Sequence, residues 1–151
     1  MKFLLVIFIA LNLGRIDSAT PKPFEKKSID WEKVLPLICL VESSNRQWAH
    51  SYLGEEYGRG LYGVSELCLE EYKRKNQGND WITPAGLYNT NVGRTVALWY
   101  LRYLEEKYHK DDPLVFEKCL SSYFQGPTTT FKNGVNWKYV NDVLIGAKNF
   151  E

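Results

Sequence analysis

Cysteine and histidine are scarce in this chain, with three cysteines and two histidines among 151 residues. Cys39, Cys68 and Cys119 are too widely spaced for a zinc pattern, and His50 and His109 lack the spacing of metal ligands. No nucleophile motif accompanies the histidines, and no glycine-rich phosphate loop is present. We therefore expect no metal and no cofactor. Each cysteine lies in an apolar, helical context, so we expect buried, reduced thiols, although the sequence also allows one disulfide in an oxidising compartment.

Long hydrophobic runs are also missing, apart from one near the N-terminus. The apolar stretch 3–13 is preceded by Lys2 and followed by Ser18 and Ala19. It is shorter than the roughly 20 residues that cross a bilayer as a helix, which is typical of a secretory signal peptide. We expect a signal peptide over residues 1–19, a polar, proline-containing tether over 20–28 and one domain over 29–151. The mature protein is then expected to be secreted or periplasmic.

An excess of charge of either sign is lacking as well. Removing residues 1–19 takes away Lys2, Arg15 and Asp17, which leaves 17 basic and 17 acidic side chains. A neutral chain gives no electrostatic attraction to nucleic acid, so we expect no nucleic-acid partner. We also expect a monomer.

Helical spacing dominates the sequence, and strand-like alternation is scarce. Apolar residues recur at steps of three and four after Asp30, a candidate N-cap. Asp112-Pro113 predicts the start of another helix, and Gly126-Pro127 predicts its end. The predicted helices are 31–42, about 65–75, 91–108, 113–125 and 137–144. Residues 45–59 and 76–88 are predicted as loops. The apolar stripe of 91–108 is wide enough to be buried on several sides, so we expect a mainly α domain built around this long central helix.

Aromatic residues make up 15% of the chain, a high share for a small domain. Four of them fall in predicted loops: Trp48, Tyr57, Trp81 and Tyr88. Exposed rings in loops often contact a sugar face or a partner, and the alternative is that each ring covers a helix end.

Glu42 is the strongest candidate for a chemical role. It closes the apolar run 34–41 and is followed at once by Ser43. Apolar surroundings disfavour an ionised carboxylate, so a buried glutamate keeps its proton near neutral pH. This is the property that a general acid in glycoside cleavage needs.

Three further segments follow Glu42-Ser43 along the chain: Gly60-Leu61-Tyr62-Gly63-Val64, Asn91-Val92-Gly93 with Tyr100-Leu101, and Ser122-Tyr123-Phe124-Gln125-Gly126 with the later Tyr139-Val140. In this order and spacing they resemble the motifs of soluble lytic transglycosylase catalytic domains, the goose-lysozyme-like family that cuts peptidoglycan. The likeness spans Trp31 to Leu144. It implies a lysozyme-like fold.

The resemblance assigns Glu42 as the sole catalytic acid, cleaving the β-1,4 bond between N-acetylmuramic acid and N-acetylglucosamine with formation of a 1,6-anhydro ring. It implies peptidoglycan glycan strands as substrate. Nine residues are implied as substrate-binding: Ser43, Leu61, Tyr62, Gly63, Val64, Asn91, Tyr123, Gln125 and Tyr139. Tyr123 is expected close to the Glu42 carboxyl.

Two positions depart from the family pattern. Gly63 stands where the family has glutamine, and Phe124 where it has asparagine, so two polar sugar contacts are missing. Gln125 is expected to replace part of the lost amide. Restoring the family residues as Gly63→Gln and Phe124→Asn is expected to improve fragment affinity by about two- to tenfold each. If Phe124 instead fills a core pocket, asparagine there would destabilise the fold.

Two other functions fit the same residues. A muramidase would use water in place of the muramic 6-hydroxyl, with Glu55, Glu56 or Glu66 as candidates for a second carboxylate. A catalytically weak peptidoglycan-binding protein, associated with envelope secretion or assembly machinery, is suggested by the missing polar contacts.

Overall fold

The computed structural model describes residues 29–53 and 56–148. The expected signal peptide over 1–19 and tether over 20–28 lie outside the described residues. Six α-helices and one two-stranded hairpin follow in chain order: α1 Trp31–Ser43, β1 His50–Leu53, β2 Glu56–Arg59, α2 Glu66–Lys75, α3 Thr90–Leu104, α4 Val115–Gln125, α5 Pro127–Asn133 and α6 Trp137–Lys148. A 3₁₀ helix, Pro84–Tyr88, precedes α3, and a π-helical turn, Glu105–His109, continues it. The prediction of a mainly α fold is confirmed.

Helix α3 is the centre of the fold, and it contacts α1, α2 and α4. Its buried residues, Gly93, Val96, Ala97, Leu98, Leu101 and Leu104, cover a wide face of the helix. Burial on several sides follows from this wide apolar surface, as the sequence predicts. The predicted long central helix over 91–108 is thus confirmed.

Two capping residues fix the starts of α2 and α3. The Ser65 hydroxyl accepts a hydrogen bond from the Cys68 amide at 3.2 Å, and the Asn89 side chain accepts bonds from the amides of Asn91 and Val92. These bonds satisfy amide groups that have no partner within the helix. Asp30, the predicted cap of α1, makes no such bond and pairs with Lys33 at 3.2 Å instead.

The start of α4 also differs from the prediction. Asp112 Oδ1 accepts a hydrogen bond from the Leu114 amide at 2.9 Å, and its carboxylate pairs with Lys118. Because Asp112 closes a turn rather than capping the helix, α4 begins at Val115 and not at Pro113.

Four elements were not predicted: strands β1 and β2, the 3₁₀ helix Pro84–Tyr88 and helix α5. Strands β1 and β2 pair antiparallel, with His50 opposite Arg59 and Leu53 opposite Glu56. Four-residue strands are too short to display an alternating pattern. Helix α5 begins at Pro127, directly after Gly126 with its positive φ of 82°. The Gly-Pro pair that ends α4 therefore also starts the next helix, with proline in the first turn.

The three cysteines are buried and free, which confirms the expected reduced thiols. No described helix is long and apolar enough to cross a membrane.

Candidate active site around Glu42

Glu42 is the penultimate residue of α1, and its carboxyl group meets Tyr139 from α6. The Tyr139 hydroxyl donates a hydrogen bond of 2.6 Å to Glu42 Oε1. Tyr139 is 4% exposed, so its ring is packed in the core. Because α1 packs against α6, the bond fixes the position of the carboxyl group at the helix end.

Burial raises the pKa of Glu42 to about 7, and the Tyr139 hydrogen bond opposes part of that effect. Removal from water disfavours the charged carboxylate, whereas a donated hydrogen bond favours it. Glu42 therefore exchanges its proton near neutral pH, as a general acid and base must.

Gly63 lies directly against the other carboxyl oxygen. A Cβ placed on Gly63 would lie 2.5 Å from Glu42 Oε2, and the residue has a positive φ of 59°. Only glycine adopts this backbone conformation without strain and leaves room for the carboxyl group. A side chain at position 63 would therefore displace Glu42, which argues against the expected gain in affinity from Gly63→Gln.

Tyr123 joins α4 to the loop that contains Gly63. Its hydroxyl donates a hydrogen bond of 2.6 Å to the Tyr62 carbonyl, and its ring lies 6.0 Å from that of Tyr100. The Tyr123 hydroxyl thus supports the loop beside Glu42, while Tyr139 is the residue that bonds the carboxyl group.

Phe124 and Gln125 both line the site beside Glu42. The Phe124 ring stacks on Tyr139 at 4.6 Å between centroids and is 37% exposed, so it does not fill a core pocket. Gln125 Nε2 lies within hydrogen-bonding distance of Ser121, Thr130 and the Gly134 carbonyl. Because these contacts occupy its amide nitrogen, Gln125 ties α4 to α5 and does not replace a sugar-binding amide with that group.

A cavity of about 550 Å³ opens beside the Glu42 carboxyl group. Its described lining residues are Glu42, Gly58, Gly63, Ser65, Leu67, Tyr100, Ser122, Tyr123, Phe124, Gln125, Gly126, Pro127, Thr128 and Thr129. Glu42 is the one carboxylate among them.

Four of the ten predicted site residues line this cavity: Glu42, Gly63, Tyr123 and Gln125. Tyr139 lies behind Glu42 and reaches it by the hydrogen bond. The other five do not line the cavity, namely Ser43, Leu61, Tyr62, Val64 and Asn91.

The surroundings of these five residues differ from one another. Ser43 is 2% exposed, and its hydroxyl donates back to the Cys39 carbonyl at 2.8 Å. Tyr62 and Val64 belong to the buried core, and Leu61 packs against it. Asn91 is exposed in the first turn of α3. In the second motif, the side chains of Leu61, Tyr62 and Val64 thus belong to the core or pack against it, and Gly63 lines the cavity.

Ser122 lines the cavity, and its contact with His109 was not predicted from the sequence. Ser122 Oγ shares a hydrogen bond of 2.9 Å with His109 Nε2, and both side chains are buried. His109 Nδ1 has no hydrogen-bond partner within the described part of the chain. Burial also lowers the pKa of His109, which favours a neutral ring. A lone histidine and a serine 13 residues apart carry no sequence signal for this contact.

The candidates for a second carboxylate contribute nothing to the described cavity lining. Glu66 forms an ion pair with Arg59. Glu55 lies outside the described residues, and the side chain of Glu56 is likewise not described. Over 29–53 and 56–148, no group of three or more His, Cys, Asp or Glu side chains is arranged to hold a metal ion.

Comparisons of this chain with protein-family models, curated proteins and solved structures find no match.

Proposed function

We propose that this protein is a peptidoglycan lytic transglycosylase with a lysozyme-like catalytic domain, exported to the periplasm or the exterior. The observation that carries the proposal is Glu42, a partly buried carboxyl group with a pKa of about 7 at the wall of a cavity. The ordered motifs of the sequence supply the substrate class, and the chemistry of Glu42 supplies the reaction.

The hydrogen bond from Tyr139 determines which oxygen of Glu42 transfers the proton. Oε1 already accepts the Tyr139 hydroxyl hydrogen, so in the neutral acid the proton resides on Oε2, which faces Gly63. After the proton leaves, the same hydrogen bond stabilises the carboxylate. Tyr139 thus supports both protonation states that the reaction needs.

In the first step, Glu42 protonates the glycosidic oxygen as the bond to the muramic C1 breaks, which releases the N-acetylglucosamine 4-hydroxyl. In the second step, the Glu42 carboxylate takes the proton from the muramic 6-hydroxyl, and that oxygen bonds to C1. The product carries a 1,6-anhydro ring, no water is consumed, and Glu42 ends protonated. A single carboxyl group is enough because the two proton transfers occur in sequence.

Digestion of purified peptidoglycan, followed by mass spectrometry of the released fragments, tests the proposal. We expect muropeptides with a mass deficit of one water at the muramic end, and we expect Glu42→Gln to abolish their release. The matched control is Glu70→Gln, which removes a carboxylate from an exposed salt bridge with Lys73. Fragments with reducing ends would identify a hydrolase instead, and binding without release would identify a non-catalytic protein.

A further inference from the structure

The loop that follows α1 has a tightly defined backbone. Ser44 and Asn45 both have left-handed conformations, with φ of 50° and 60°. Two backbone hydrogen bonds close successive turns, from the Arg46 amide to the Ser43 carbonyl at 3.1 Å and from the Ala49 amide to the Arg46 carbonyl at 3.0 Å. Consecutive left-handed residues other than glycine are costly, and they persist where the surrounding structure demands a particular chain direction.

This loop presents an aromatic pair to solvent. The Trp48 ring is 72% exposed, and its centroid lies 5.4 Å from that of Tyr88 at an angle of 33°. Gln47 Nε2 donates a hydrogen bond of 2.9 Å to the Tyr88 carbonyl, which attaches the loop to the 3₁₀ helix. Large rings in a fixed arrangement bind a ligand with little loss of conformational freedom.

A cation lies beside the aromatic pair. Arg46 is exposed, and its Nε donates to the Ser43 carbonyl at 3.2 Å. Within the described part of the chain, its two terminal nitrogens form no hydrogen bond. Residues 46–49 line a second cavity of about 510 Å³. A guanidinium group held at Nε offers its outer nitrogens to a carboxylate as a fork.

We infer that Arg46, Trp48 and Tyr88 form a second binding site for the glycan strand, where a sugar ring packs on the Trp48–Tyr88 pair and Arg46 binds a carboxylate of the peptide stem. The inference rests on the proposed function for the identity of the strand. Arg46 follows Glu42 by four residues, so their Cα atoms are at most about 14 Å apart. One strand can therefore contact both the Glu42 cavity and this site.

Equilibrium binding to two soluble ligands tests the inference. The first is a preparation of glycan strands that carry peptide stems, and the second is chitohexaose, which has sugar rings but no carboxylate. All binding variants carry Glu42→Gln, so that the strands are not cut during the measurement. Trp81→Ala is the matched control for Trp48→Ala, because Trp81 is 68% exposed in another loop and lines neither cavity.

We expect Trp48→Ala to weaken binding of both ligands about tenfold, and Trp81→Ala to change neither by more than about twofold. We expect Arg46→Gln to weaken the stem-bearing strands by roughly 3- to 10-fold and to leave chitohexaose unchanged. Arg102→Gln, at another exposed arginine, is its control. Equal effects of Trp48→Ala and Trp81→Ala would overturn the inference, and so would an Arg46→Gln effect that is the same for both ligands.

The outcome is independent of the test of the proposed function. If the wild-type protein releases anhydro-muropeptides but Trp48→Ala binds normally, the second site is refuted and the activity stands. If Trp48→Ala loses affinity but the wild-type protein cuts no peptidoglycan, the binding site stands and the enzymatic proposal fails. Thermal unfolding of each variant verifies that these surface changes leave the fold intact.

Discussion

The Glu42→Gln variant should become more stable relative to the wild type as the pH rises from 4 to 8. The reason is that the native fold holds this carboxyl group away from water, which disfavours its charged form. Glutamine fills the same volume and its oxygen can still accept the Tyr139 hydrogen bond. What it lacks is the ability to ionise. The comparison of the two proteins therefore isolates the cost of placing a charge at this position.

The size of the effect follows from the pKa of Glu42, which is 4.5 in the absence of the fold and about 7 within it. Between these pH values the native protein binds a proton that the unfolded chain has released. The free energy of unfolding then falls as pH rises, by about 1.4 kcal/mol per pH unit. Over the whole window the wild-type protein loses about 3 kcal/mol that the Glu42→Gln variant keeps. Below pH 4.5 both states bind the proton, and above pH 7 neither does.

Urea denaturation at unit steps from pH 4 to pH 8, followed by far-ultraviolet circular dichroism, measures this difference. We expect the free energy of unfolding of the variant, relative to that of the wild type, to rise steadily between about pH 4.5 and 7. Above that range the difference should be constant. The control Glu70→Gln removes a charge from an exposed salt bridge, so its difference from wild type should change by less than about 0.5 kcal/mol. A Glu42→Gln difference that is flat from pH 4 to pH 8 would refute the buried general acid.

Three further predictions concern the same site. Glycan cleavage should decline as pH rises through about 7, where Glu42 loses its proton. Tyr139→Phe should move that decline to higher pH in a rate profile, because the Tyr139 hydrogen bond lowers the pKa of Glu42 and its loss raises it. An unchanged profile would contradict this. Gly63→Ala should abolish cleavage. Gly78→Ala should retain it, because Gly78 also has a positive φ but a Cβ there would have no atom within 4 Å. Equal activity in the two variants would refute the contact with Glu42. Tyr123→Phe should lower the free energy of unfolding by about 1 kcal/mol through loss of its 2.6 Å hydrogen bond, as measured by urea denaturation, and an unchanged value would contradict that role.

Helical periodicity was sufficient to predict most of the fold, because each long helix buries a stripe that repeats every three to four residues. The prediction failed where another signal was needed. Strand pairing between His50–Leu53 and Glu56–Arg59 depends on the backbone, and four residues display no usable alternation. The start of α5 was missed because Gly126-Pro127 is typical both of a helix end and of a helix beginning.

The candidate site was predictable where a motif fixes a residue type and not where contacts join distant parts of the chain. Gly63 and Tyr123 line the cavity beside Glu42, in agreement with the expected cleft. The order of the motifs carries no information on which tyrosine reaches the carboxyl group. The resemblance placed Tyr123 close to the carboxyl group, whereas the packing of α6 on α1 makes Tyr139 the donor.

The geometry of the loop gives a physical reason for glycine at position 63. In this chain the loop backbone approaches Glu42 so closely that a Cβ at position 63 would meet the carboxyl carbon at 2.9 Å as well as Oε2. A glutamine at this position requires a loop that lies farther from α1. Because the close loop helps to exclude water from Glu42, glycine at position 63 contributes to the raised pKa. Glycine at position 63 therefore permits a tight enclosure of the Glu42 carboxyl group.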